Sequence, residues 1–75
     1  MVRYRNINGN SGVYAYANNT DSITVQFNDE SAYLYTHAVP GRSDVERMKS
    51  LAVNGSGLNG YISSYVKKRY QAKLK

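Results

Sequence analysis

The sequence predicts an α+β domain in which a three-stranded antiparallel meander is followed by two helices packed on one face (β-β-β-α-α). Apolar and polar residues alternate with period two over 13–17, 23–27 and 32–37. From Ser43 the apolar period changes to about 3.6, and turn residues separate every run.

The first segment, 5–12, is rich in Asn, Gly and Ser and reads as an irregular lead-in with a short extended piece within 2–7. Tyr14 and Tyr16 are two apart in the first strand and so share a face, and Asn18, Asn19 and Asp21 supply the turn after it. The second strand, Ile23-Thr24-Val25-Gln26-Phe27, has the β-branched alternation of a half-buried strand. A turn over 28–31 leads to the third, which Val39-Pro40-Gly41 ends, because proline cannot donate to the ladder. Ser43-Asp44-Val45-Glu46 reads as a capping box, in which the Ser43 hydroxyl accepts from the Glu46 amide and Glu46 reaches back. Val45, Met48, Leu51 and Ala52 make the buried face of this helix, and Asn54-Gly55 offers a left-handed stop. Leu58, Tyr61, Ile62, Tyr65 and Val66 recur at helical spacing as a second stripe, with Ser56 or Asn59 as its N-cap. Arg69 interrupts that stripe, so the helix is expected to project past the core as a solvated basic end, with 71–75 a frayed basic tail.

The 75 residues make one domain with a thin core, since a chain of this size buries only about 60% of its unfolded surface. Without cysteine there is no disulfide and no thiolate metal site. The polar N-terminus and the lack of a long apolar run set the expectation of a soluble cytoplasmic protein with no membrane partner. Five of the ten basic residues, Lys67, Lys68, Arg69, Lys73 and Lys75, fall in the last nine positions, so the net charge of +5 is a property of the C-terminus. A local basic patch near aromatic residues is the footprint of a polyanion-binding surface.

The ordered pieces Ile23-x-Val25-x-Phe27, Tyr33-x-Tyr35, Val39-Pro40 and Gly55-x-x-Leu58-Asn59-x-x-Ile62 resemble the KTSC domain over roughly residues 7–70. That family is a short module at the C-terminus of some lysyl-tRNA synthetases and occurs alone in small bacterial and phage proteins. What the resemblance implies is an association with RNA, through the synthetase context alone.

The face taken by Tyr33 and Tyr35 depends on the parity of the 28–31 turn. An even loop pairs Phe27 with Ala32 and exposes the tyrosines as a stacking platform. An odd loop with a bulge pairs Phe27 with Tyr33 and Val25 with Tyr35, which puts them under the helices. Tyr61 and Tyr65 read as packing residues. Residues 55–60 spell G-x-G-x-x-G but lack the preceding strand and the β-α-β unit of a dinucleotide site, so these glycines read as turn residues. His37 has no second ligand at metal spacing and no triad partners, and the five carboxylates read as turns and a cap. A non-enzymatic module without cofactor or metal is therefore expected. The leading expectation is RNA binding by phosphate contacts from Arg3, Arg5, Lys67, Lys68, Arg69 and Lys73, with bases stacked on Tyr33 and Tyr35. The alternative is a protein-interaction module that uses the tyrosine-rich surface.

Overall fold

The sheet has five antiparallel strands rather than three, in chain order: β1 (Val2–Arg3), β2 (Val13–Asn18), β3 (Ser22–Phe27), β4 (Ala32–Thr36) and β5 (Ala72–Lys73). The computed structural model describes residues 1–7, 9 and 11–75. Helix α1 (Arg42–Asn54) and helix α2 (Leu58–Tyr61) follow β4, and α2 runs on as a π turn over Ile62–Val66. The three-stranded meander is thus corrected by an edge strand on each side. The central strands fall where alternation placed them; a two-residue strand has no period to read.

The helices cover one face of the sheet. Val45, Met48 and Ala52 of α1, with Leu58, Ile62 and Val66 of the second helix, are buried in one cluster with Ile23, Val25 and Tyr35. Each of the larger aliphatic side chains among them contributes about 1.5–3 kcal/mol on burial, the main stabilisation open to so small a chain. Tyr65 is 64% exposed, so it does not pack as its spacing suggested, while Tyr61 is half-buried and stacks on it with ring centroids 5.0 Å apart.

The C-terminus departs furthest from expectation. The Lys67 amide donates to the Ile62 carbonyl, closing a π turn, and Lys67 then adopts φ 54°, which ends the helix. The chain reverses, and the amides of Gln71 and Leu74 donate to the carbonyls of Leu34 and Ala32, each at 2.7 Å. The basic helix end and the frayed 71–75 tail are therefore replaced by a turn and the edge strand β5.

The helix termini also differ. Gly41, not Ser43, is the N-cap of α1, and Glu46 instead meets His37 and Lys49 at 2.8 and 2.9 Å. The hydrogen bond from His37, then that from Lys49, holds the Glu46 carboxyl below its usual range. Gly57, rather than Ser56 or Asn59, caps α2 in a left-handed conformation, and the Leu58 amide donates to the Tyr4 hydroxyl at 3.3 Å. The stop at Gly55 forms as read, with φ 76°. A Cβ there would sit 2.8 Å from the Arg5 Cβ, so Gly55 also admits the N-terminal arm.

Two turn details decide which tyrosines face the helices. The Phe27 amide donates to the Ser31 carbonyl and the Glu30 amide to the Phe27 carbonyl, so the hairpin loop holds three residues. Glu30 takes the left-handed position at φ 72°, which such a loop requires. Val25 then faces Tyr33 and Ile23 faces Tyr35, which selects the odd-loop alternative with the pairing shifted by two residues. In β2 a bulge at Tyr14 breaks the register between Val13 and Ala15. Tyr14 is consequently 41% exposed while Tyr16 is buried, so the two do not share an environment.

Candidate functional site

On the helix face, a groove lies at the loop end of the β3–β4 hairpin. The reversal after Val66 brings the chain back across this end and encloses the groove, of about 670 Å³. Its inner surface is aromatic, with contributions from Phe27, Tyr33, Tyr35 and Tyr70. Tyr33 is the centre of that cluster, with ring centroids 5.7 Å from Phe27 and 4.7 Å from Tyr70. Tyr70 also meets Tyr35 edge-on at 6.4 Å. Such pairs contribute about 0.5–1.5 kcal/mol beyond the area they bury, so the groove floor is a packed aromatic surface.

Charge lies on the rim. Lys67 and Lys68 come from the reversal and Lys73 from β5, where it faces Tyr33 across the ladder and sets its ammonium 5.8 Å from that ring. Among the described residues none of these three lysines is in an ion pair. Asn28, Asp29 and Ser31 also line the groove, with Asp29 close enough to Lys73 to feel its charge. Asp29 accepts from both the hydroxyl and the amide of Ser31, at 2.5 and 3.0 Å. The hydroxyl bond first, then the amide bond, holds its carboxyl below the usual range. Tyr35 lies deepest at 2% exposure; desolvation, with Tyr33 and Tyr70 adding to it, pushes its phenol up to about 12.

Five of the eight expected site residues therefore meet in one place: Tyr33, Tyr35, Lys67, Lys68 and Lys73. The other three do not. Arg69 is tied to Asp44 at 3.3 Å and to the Tyr65 carbonyl, and Asp44 also accepts from the Tyr61 hydroxyl at 2.6 Å. That hydrogen bond, with desolvation second, pushes the Tyr61 phenol up. Arg5 donates to the carbonyls of Val53 and Asn54 at 2.9 and 3.0 Å and closes the C-terminus of α1. Arg3 lies on β1, its guanidinium 4.2 Å from the Tyr14 ring. β1 and β5 are opposite edges of the sheet, four strand spacings apart, or about 19 Å. Arg3 and Arg5 are therefore not brought together with Lys67, Lys68 and Lys73.

Tyr70, Phe27, Ile62 and Asp29 were missed as site residues. Tyr70 lies four residues after Val66 and so reads as a continuation of the helical stripe, and nothing in the sequence marks the reversal that delivers it to the groove. His37 serves the α1 contact described above, and among the described residues no three His, Cys, Asp or Glu side chains could hold a metal ion. No helix among the described residues is long and apolar enough to cross a membrane. Compared with known proteins, the chain matches no family model, no curated protein and no solved structure.

Proposed function

We propose that this chain is a non-enzymatic interaction module that docks a protein partner in the aromatic groove beside β5. The observation that carries the reading is the preformed cluster around Tyr33, open on one side and rimmed by three lysines without ion-pair partners among the described residues. Aromatic rings already packed on one another lose little side-chain entropy on binding, and tyrosine is enriched at protein interfaces, inside a polar rim. The resemblance to the KTSC domain belongs to this proposal only as a resemblance in the order of motifs.

RNA binding is the second reading, favoured by the three clustered lysines. It is less well supported. A base stacks on an open ring face, and Tyr33 already contacts Phe27, Tyr70 and the Lys73 ammonium. A polyanion also gains from many cations along its path, whereas Arg5 and Arg69 are engaged within the protein and Asp29 stands at the groove lip.

The test places a photo-crosslinking amino acid at Ser31 on the groove lip, or at Tyr14 outside it, in the cells that make this chain. A defined protein adduct from Ser31 and not from Tyr14 is expected. A nucleic-acid adduct at Ser31, or no adduct specific to that position, would overturn the proposal.

A further inference from the structure

Resting on the docking reading, we infer that the groove's occupant is an acidic linear peptide segment, with one aromatic or large aliphatic side chain entering the groove and carboxylates on both sides of it. The argument is one of complementarity. The apolar part of the groove is continuous from Phe27 through Tyr33 to Ile62, and its volume of about 670 Å³ takes one or two large side chains rather than a folded surface. The cations approach from two directions, Lys67 and Lys68 on the reversal and Lys73 on the edge strand. Carboxylates flanking an anchor residue can meet both groups, because an extended chain advances about 3.3–3.6 Å per residue.

Asp29 argues for a peptide over a phosphate backbone. An anion at the lip, it repels phosphates and carboxylates alike, but a peptide backbone also brings amides that can donate to it, which a phosphate backbone lacks. The Ser31 hydroxyl is already committed to it, which fixes the carboxylate's direction. Lys73 adds a second constraint. It lies on β5, whose far edge carries no strand among the described residues, so a bound segment can lie along that edge while its anchor turns inward beside Tyr33.

The test is display selection of a random peptide library on the intact chain, compared with two variants whose folding is checked by circular dichroism. Asn28→Trp fills the groove from an exposed position, and K67Q/K68Q/K73Q removes the rim charge. The expected selection is peptides with one aromatic or large aliphatic residue flanked by Asp or Glu, lost with Asn28→Trp and weakened about tenfold by the triple Gln variant. Groove-dependent peptides without acidic enrichment, or unaffected by the triple variant, would overturn the acidic assignment and leave the docking reading standing. No groove-dependent peptide would overturn both. Single-stranded oligouridylate that displaces the selected peptides at lower concentration than they bind would also overturn the assignment and make RNA the occupant.

Discussion

Replacing Glu30 with glycine should stabilise the protein. Glu30 holds φ 72°, the left-handed conformation that closes the three-residue β3–β4 loop, and its side chain is exposed. For a residue with a Cβ that conformation costs about 1–2 kcal/mol, whereas glycine adopts it freely. Against this, glycine adds about 0.5–1 kcal/mol of unfolded-chain entropy to be lost on folding. The net gain is about 0.5–1 kcal/mol, a rise in Tm of about 2–8 °C for a domain of this size. Alanine at position 30 keeps the strain and should change stability little; valine should lower it by about 1 kcal/mol or more, since a β-branched residue is worst there. Urea and thermal melts of the three variants, followed by circular dichroism, are the assay. If glycine destabilised by as much as it does inside a strand while valine was neutral, position 30 would not be left-handed. The loop would then have the other parity, and Tyr33 and Tyr35 would leave the helix face.

Other outcomes follow from the same geometry. Arg5→Ala should cost about 1–2 kcal/mol in a denaturant melt, since it uncaps two carbonyls of α1, and Arg5→Lys should recover part of that through its charge alone. Asp44→Ala should cost about 1–2 kcal/mol by releasing the Tyr61 hydroxyl and Arg69, and Tyr61→Phe should reproduce about half of the loss. Folding raises the Tyr35 phenol from 10.0 to about 12, so the unfolded chain releases that proton first. Stability from this group is complete below pH 10 and is lost as pH rises towards 12; phenolate absorbance and melts across that window should show a shallower decline in Tyr35→Phe.

What could be read from the residues follows from the size of the signals. The three central strands were legible because five or six alternating residues define a period, and the helix faces because Val45, Met48 and Ala52 repeat over several turns. Gly55 announced the end of α1 by residue type alone. The end of the second helix had no such marker: Lys67 takes a positive φ without being glycine, and the stripe from Leu58 runs smoothly past it towards Arg69. Missing that reversal cost β5, the groove and Tyr70 together. The faces of Tyr14 and Tyr33 each turned on one bulged or left-handed residue, Tyr14 itself and Glu30, which a period-two pattern cannot register. Ser43 and Glu46 spell a capping box, yet His37 and Lys49 offer Glu46 other hydrogen-bonding partners, and these contacts prevail over the cap.

The most direct test of the docking groove is amide chemical-shift mapping of the ¹⁵N-labelled chain during titration with an acidic peptide that carries one central aromatic residue, repeated with oligouridylate. The account predicts saturable shifts from the peptide confined to Gly12, 27–35 and 67–73, persisting at moderate salt. Shifts centred on Arg3, Arg5 and β1, or the same groove shifts produced more strongly by oligouridylate and abolished by salt, would contradict it.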